Sequence, residues 1–248
     1  MAAPKQRLDQ LLVARALFES REKAQRAIMA GEITVGGRVM DKPGTRVAED
    51  AAVSVKAAER YVGRGGFKLE AAIAHCAIDV RGRTCLDIGA STGGFTDCLL
   101  QHGAEKVWAI DVGHSQLDWK IRSDPRVVVR EKLNARSLTP GDIPDAIDVC
   151  VIDVSFISLT LILPPAAALL SNGGVIIALI KPQFELRKED VARGGVVRDP
   201  ALHARAVEKI RAFVGTLAAL RWDGVIESPI LGGEGNKEFL ACLRAVSA

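Results

Sequence analysis

Within the chain, Thr84–Thr96, TCLDIGASTGGFT, has the residue types and spacing best suited to chemistry. Thr84, Cys85, Leu86 and Ile88 suit a buried strand, and Asp87 sits near its end, where most positions are apolar. The loop Gly89-Ala90-Ser91-Thr92-Gly93-Gly94 lets the backbone turn sharply and approach a ligand with no Cβ in the way. Phe95 to Leu100 opens a helix whose free N–H groups face that loop. A strand, a glycine loop and a helix in this order predict a nucleotide-type cofactor site. A tight turn without a ligand would require neither so many glycines nor an in-line acid. A dinucleotide site would read G-x-G-x-x-G, which this loop does not fit. Asp111, followed by Val112, ends the second strand, where a carboxylate can accept both hydroxyls of a ribose or simply serve a turn. Asn134, after the third strand, can read an adenine edge, although Asn is common in any loop.

Four charged residues belong to the same edge of the expected sheet. Lys68 starts the helix before the first strand, Asp153 ends the fourth strand, Lys181 ends the fifth, and Glu238 lies in the last. Ligands of open α/β sheets bind outside the carboxyl ends of the strands. A lone lysine at a strand end is usually a solvated cap. Two lysines and two acids, each beside apolar strand residues, point to a reaction centre.

Elements that could position these groups follow from periodicity. Strands are expected at 84–89, 107–111, 127–130, 146–153 and 175–181, with closing candidates at 221–227 and 237–245. Helices are expected at 67–76, 95–102, 115–122, 158–170 and 200–218. Alternation of this kind predicts an α/β fold, a doubly wound, mostly parallel seven-stranded sheet covered on both faces with right-handed connections. Residues 1–58 read as a separate α+β domain, 59–66 as a glycine-rich linker, and 67–248 as the α/β domain. In the first domain a helix over Arg7–Arg15 places Leu8, Leu11 and Leu12 on one face. Ser20 caps a second helix with Ala24, Ala27 and Ile28 inward and Gly31 as its stop. Arg21, Lys23 and Arg26 are expected to line up with Arg15 on its outer side. Residues 33–35 and 38–40 form a hairpin about Gly36-Gly37, and 52–55 a last strand.

Composition narrows the function classes. The 248 residues are 48% hydrophobic but only 4% aromatic, so small aliphatic residues must fill the core. Five scattered cysteines without a CxxC pair indicate neither a disulfide framework nor a zinc site, so no metal is expected and a reducing compartment fits. The N-terminus has no apolar signal segment, and no run reaches the ~18 apolar residues of a membrane span. A cytoplasmic protein without a membrane partner, monomeric, is the expectation. Net charge is +3, and residues 1–60 account for all of it, with 11 Lys and Arg against 8 Asp and Glu. Residues 61–248 balance at 22 and 22. The excess hints at a polyanion partner for the N-terminal quarter.

RLDQLL, SREKAQRAI, GEITVGG and DAAVSV resemble the S4 domain, an RNA-binding module, over about 50 residues. The resemblance implies that Arg7, Arg15, Arg21, Lys23 and Arg26 meet RNA phosphates, with Arg64 and Tyr61 of the linker added, the tyrosine by stacking on a base. A strand ending in Asp-x-Gly resembles S-adenosylmethionine (SAM) methyltransferases. That likeness assigns SAM to Asp87, Gly89, Ala90, Ser91, Thr92, Gly93, Gly94, Phe95, Asp111, Val112, Asn134 and Asp153. Lys68, Asp153, Lys181 and Glu238 resemble the catalytic tetrad of FtsJ-type RNA 2′-O-ribose methyltransferases. FKLEAA, DIGASTGGFT, DVGHSQL, NARSLTP, DVSFISL, KPQFE, GGVVRDP and GNKEF together resemble the TlyA family across nearly the whole chain.

The family resemblance implies 2′-O-methylation of cytidine in ribosomal RNA, with ribosomal subunits as partners. A chain that stops soon after Arg244 resembles the shorter type, associated with the large-subunit RNA. Lys181 is then the group that deprotonates the ribose hydroxyl or stabilises its alkoxide, and Asp153 and Glu238 orient the ammonium groups. Two rivals follow from the same features: a non-catalytic S4-type RNA or ribosome assembly factor, and a membrane-active haemolysin, the older label of some family members. The intact loop and tetrad disfavour the first, and the lack of a spanning or amphipathic segment disfavours the second.

Overall fold

In the computed structural model, residues 4–56 and 60–246 are described. The chain divides into two compact units, Met1–Glu59 and Arg60–Ala248.

In the first unit, β1 (Lys5–Arg7), α1 (Leu8–Ala14), α2 (Arg21–Met29), β2 (Ile33–Val35), β3 (Arg38–Met40), β4 (Arg46–Ala48) and β5 (Val53–Val55) follow in order. β1 pairs with β4, and a three-stranded sheet runs β3-β2-β5. The helices and hairpin fall where periodicity places them, and the Ser20 side chain accepts the Lys23 N–H at 3.3 Å. β1 and β4 are three residues each, too short to show a period. Leu8, Leu11, Leu12, Ala24, Ala27, Ile28, Ile33 and Val47 form the core.

Several basic side chains of this unit are engaged by partners within it. Asp9 is fully buried and accepts from Arg7 Nε at 3.0 Å, Arg21 Nε at 2.8 Å and Gln25 Nε2 at 2.8 Å. Arg7 and Arg21 therefore serve first to neutralise a buried carboxylate between α1 and α2. Arg15 donates to the carbonyls of Ala51 (2.8 Å) and Glu49, and Lys23 pairs with Glu19. Arg26 is exposed with no partner among the described residues. The guanidinium of Arg7 holds the Asp9 carboxyl well below its usual range, against the opposing effect of burial. Such a group stabilises the fold above its unfolded value of 3.8, and that contribution is lost as pH falls below it. Asp9→Ala is expected to lower the melting temperature of this unit by about 5 °C or more at neutral pH. It should also remove part of the acid sensitivity below pH ~4, followed by circular dichroism.

The second unit contains α3 (Gly65–His75), β6 (Thr84–Ile88), α4 (Gly94–Gln101), β7 (Lys106–Asp111), α5 (Trp119–Arg122), β8 (Val127–Glu131), β9 (Ile147–Ile152), α6 (Leu163–Ala167), β10 (Leu170–Ile180), α7 (Pro182–Glu185), α8 (Pro200–Val214), β11 (Leu220–Glu227) and β12 (Phe239–Ala245). Its seven-stranded sheet has the order β11-β12-β10-β9-β6-β7-β8. β12 runs antiparallel to both neighbours and the other pairings are parallel. Successive strand residues serve opposite faces, as a pleat requires. Leu86, Ile88, Cys150, Ile152, Ile176 and Ala178 pack on one side. Cys85, Val149, Val151, Ile177 and Leu179 pack on the other. The chain leaves β6 towards β7 and β8, then returns to β9 on the opposite side of β6. Ligands of doubly wound sheets bind at such a switch.

Several expectations are corrected here. The segment 158–170 is a 3₁₀ turn at Leu159–Leu161 followed by the short α6, because Pro164 and Pro165 fit a helix only in its first turn. The 115–122 helix shrinks to α5 behind an Asp118 cap. Glu238 precedes β12 instead of lying within it. Of the expected linker 59–66, the described residues 60–66 are not free: α3 starts at Gly65, and Tyr61 is 1% exposed against Phe67, ring centroids 5.2 Å apart. A Cβ on Gly66 would lie 2.2 Å from the Tyr61 ring. A ring so enclosed cannot stack on a base. Finally, Cys76 at the end of α3 and Cys242 in β12 form a disulfide across 166 residues, leaving Cys85, Cys98 and Cys150 buried and free. Spacing along the chain carries no information about a pair so distant, so it does not argue for a reducing compartment. Among the described residues no helix is long and apolar enough to cross a membrane, and no cluster of metal-ligating residues occurs.

Candidate active site

β6 delivers the loop 89–94 to the carboxyl edge of the sheet, beside the end of β9. Gly89 has φ +87°, and a Cβ there would fall 2.3 Å from the Asp153 carbonyl oxygen. Gly93, φ +96°, starts α4 in a left-handed conformation, with Leu117 2.9 Å from where its Cβ would be. Both positions demand glycine, for conformation and for space. Asp111 braces the loop from β7: its Oδ2 accepts the Ser91 N–H at 2.9 Å and its Oδ1 the Gly113 N–H at 2.7 Å. Each oxygen keeps a lone pair for a further donor.

Beneath the loop, Asp87 is fully buried. Its Oδ2 accepts the Thr96 hydroxyl at 2.6 Å, and its Oδ1 has no partner among the described residues. Burial pushes this carboxyl up to about 7, with the Thr96 hydrogen bond opposing and the Asp153 charge adding to the rise. Between the unfolded value of 3.8 and about 7, the folded chain holds a proton that the unfolded chain has released. This group's stabilising contribution is therefore complete below pH ~4 and lost as pH rises through about 7. Asp87→Asn is expected to flatten the fall in melting temperature between pH 5 and pH 8, read by scanning calorimetry at about one-unit pH steps.

A cavity of about 480 Å³ opens at the switch between β6 and β9. Among the expected cofactor residues, Gly89, Ser91, Asp111, Val112, Asn134 and Asp153 line it. Ala90 is absent from this lining and instead lines a narrow cleft with Ser91 and Asp111. Gly93, Gly94 and Phe95 are buried supports, and Thr92 is exposed beside Gly63. Asn134 uses its Oδ1 to accept the Arg136 N–H at 3.0 Å, which leaves its amide NH₂ as the group available to a ligand. Sequence reading missed Gln116, Arg136, Ser155 and Phe156 in this lining. Ser155 and Phe156 stand next to Asp153 in DVSFISL, which was the available signal.

A second cavity, of about 430 Å³, shares Ser155 and Phe156 with the first and contains Lys181 and Glu238. The four charged residues come together as two ion pairs. Lys181 Nζ lies 2.6 Å from Asp153 Oδ1 and donates to Ser155 Oγ at 2.9 Å. Lys68 Nζ donates to Glu238 Oε2 at 2.5 Å, with both side chains buried. Asp153 and Lys181 immediately follow β9 and β10. Glu238 reaches the same edge because β12 runs the other way. Gly232 leaves room for its carboxylate, since a Cβ there would fall 1.9 Å from Glu238 Oε1. Phe156, φ +62° and 89% exposed, stands at the junction of the two cavities with Phe184 at 5.0 Å. A left-handed backbone at a large exposed aromatic is strained, a feature that clusters at functional sites.

Charge in this unit is distributed unevenly although it sums to zero over 61–248. Arg64, Lys132, Arg136, Lys188, Arg193 and Arg198 are exposed and without an acidic partner among the described residues. Elsewhere in the unit lysines and arginines stand within 4 Å of a carboxylate, as Lys106 does with Asp145, or over a ring, as Arg130 does with Trp108. Arg136 lines the first cavity, and Arg193 adjoins Gly194 and Gly195 of the second.

Comparison with known proteins identifies the family and the fold. The profile of FtsJ-like methyltransferases matches residues 61–245, and that of the S4 domain residues 6–53. The 16S/23S rRNA (cytidine-2′-O)-methyltransferase TlyA of Mycobacterium tuberculosis is 46% identical over 98% of this chain and 91% of its own. Hemolysin A of Brachyspira hyodysenteriae is 43% identical over 95% and 98%. A solved structure from Streptococcus thermophilus, 45% identical, superposes with a TM-score of 0.74 over 99% of this chain and 90% of the other. An O-methyltransferase from Bacillus cereus in complex with SAH shares the fold at 17% identity, with a TM-score of 0.52 over 75% and 84%.

Proposed function

Since the chain belongs to the FtsJ-like methyltransferases, within the TlyA family, and is a SAM-dependent enzyme with an N-terminal S4 domain, we propose that it methylates the ribose 2′-hydroxyl of a cytidine in ribosomal RNA. The target is 23S RNA of the large subunit, with 16S RNA as a candidate second substrate. The carrying observation is that Ser155 and Phe156 line both cavities, so the Lys181–Asp153 pair stands where a cofactor cavity meets a substrate cavity.

Residues of the first cavity fit SAM. Gly89 lines the cavity with bare backbone, Asp111 and Asn134 offer an acceptor and a donor, and Asp87, beneath the loop, keeps Oδ1 as an unpaired buried acceptor. Gly89, Ser91, Asp111, Val112 and Asn134 would hold the cofactor, with Asp87 beneath the loop. SAM supplies the electrophilic methyl group.

The protein must then align and activate a hydroxyl, a poor nucleophile at neutral pH. Lys181, steered by Asp153 and Ser155, offers Nζ to the hydroxyl oxygen, either accepting its proton or donating to it as negative charge develops. The Lys68–Glu238 pair fixes the other side of the centre and keeps the four-residue set neutral. Orientation of this kind supplies several kcal/mol, about 7 or more in well-aligned intramolecular reactions. Phe156 offers an exposed ring on which the target base can stack. The unpaired cations around the two cavities, with Arg26 of the S4 unit, supply phosphate contacts that position the RNA without reading its sequence. The test is tritium transfer from labelled SAM to naked ribosomal RNA, isolated subunits and 70S particles, with mapping of the modified nucleotide. Incorporation at a cytidine 2′-oxygen is expected; incorporation elsewhere, or none with SAM bound, overturns the reading.

A further inference from the structure

We propose that Asn236 is a positioning residue for methyl transfer, pinning loop 191–198 as one wall of the cavity that contains Lys181 and Glu238. The proposal rests on the reading of that cavity given above.

The loop, VARGGVVR, contributes Val191, Gly194 and Gly195 to the cavity lining. It contains no helix or strand. Gly194 and Gly195 have φ of +96° and +76°, and a Cβ on either would meet open space. Two successive glycines lose much conformational entropy on ordering and bring no side chain to compensate. The loop needs an anchor outside itself.

Asn236 is that anchor. It is 2% exposed, and its side-chain amide is hydrogen-bonded through both Oδ1 and Nδ2. Oδ1 accepts the Val197 N–H at 2.9 Å, and Nδ2 donates to the Gly195 carbonyl at 3.0 Å and to the Gly233 carbonyl at 3.3 Å. Its backbone carbonyl accepts the Gly232 N–H at 2.8 Å. Gly232 is the residue whose missing Cβ makes room for the Glu238 carboxylate. One side chain thus joins the loop wall to the turn that seats a tetrad member. His203, on α8, holds the loop from the other side, its Nε2 donating to the Val197 carbonyl at 2.8 Å. An amide suits the position because one acceptor and two donors are required together. A carboxylate of the same size would keep the bond from Val197 and turn an acceptor towards two carbonyls.

Full-length Asn236→Asp tests this. SAM affinity by calorimetry should stay within about twofold, because no bond of Asn236 reaches the first cavity. The kcat/KM for the ribosomal substrate should fall about tenfold or more, and trypsin cleavage after Arg193 and Arg198 should accelerate about tenfold, the equivalent of roughly one hydrogen bond. His203→Ala, which removes the outer anchor without entering the cavity, should likewise lower kcat/KM and accelerate cleavage, with SAM affinity again within about twofold. Unchanged cleavage and unchanged kcat/KM in Asn236→Asp would overturn the proposal. So would SAM affinity lost in parallel with activity, the mark of a merely structural role. Should Asn236→Asp fail to fold, His203→Ala decides on the same criteria. Should the wild-type enzyme transfer no methyl to ribosomal RNA, the substrate reading fails, while the cleavage rates, which need no substrate, still decide whether Asn236 pins the loop.

Discussion

Lys181→Ala is expected to reduce methyl transfer at least about 10²-fold while SAM affinity stays within about twofold. Lys181 points its Nζ at Asp153 Oδ1 and Ser155 Oγ in the second cavity, and it is absent from the lining of the first. Its loss should therefore affect the hydroxyl and leave the cofactor in place. Loss of a single preorganised donor to a developing oxyanion costs about 10²–10³ in rate, and loss of proton transfer about 10²–10⁴. Lys181→Arg separates these roles. It retains a cation but cannot release a proton at neutral pH. Substantial activity in the arginine variant would assign alkoxide stabilisation, and none would favour proton abstraction. Single-turnover transfer from tritiated SAM measures both, with calorimetry on the same preparations. Activity of Lys181→Ala above about a tenth of wild type would remove Lys181 from the chemistry, since a barrier change of ~1.4 kcal/mol is too small for such a role.

Gly89→Val should abolish SAM binding, with affinity falling more than about 100-fold. Conformation and space both oppose the substitution. The residue has φ +87°, a region that β-branched side chains scarcely enter. Its Cβ would also meet the backbone carbonyl of Asp153 at 2.3 Å, and a carbonyl at the end of a central strand cannot yield as a side-chain tip can. The loop must move away from β9, and that movement displaces the Ser91 N–H from Asp111. Gly195→Ala is the contrast: φ is positive there too, but nothing lies within 4 Å of the added Cβ, so SAM binding should survive. Calorimetric SAM titration compares the two, and normal binding by Gly89→Val would show that the cofactor lies elsewhere.

What was legible in the sequence is what local chemistry encodes. TCLDIGASTGGFT announces its strand, loop and helix because glycine tolerance, apolar runs and an in-line acid are properties of neighbouring residues. Apolar runs separated by helical periods placed the parallel strands to within a few residues. Asp153 and Lys181, placed as the last residues of their strands, stand just past β9 and β10, and Glu238, placed inside its strand, stands just ahead of β12. The four charged residues could be assigned to one edge because strand ends are local features and connections in such sheets are right-handed.

Other features depend on which distant segments meet, and residue spacing does not carry that. Tyr61 reads as a linker aromatic until α3 folds over it and Gly66 closes the gap. Arg21 reads as an outward cation until Asp9, twelve residues earlier, proves to be buried within its reach. Cys76 and Cys242 look unrelated until an antiparallel β12 is set beside α3. The four charged residues follow the same division. They are visible by type, but the partition into Lys181–Asp153 and Lys68–Glu238 requires the strand order, which brings β9, β10 and β12 side by side. Residue chemistry and local periodicity thus determined the α/β class and the candidate groups. Tertiary packing decided which charges are paired and which are left free, because a buried charge takes whatever partner the fold brings within a few ångströms of it.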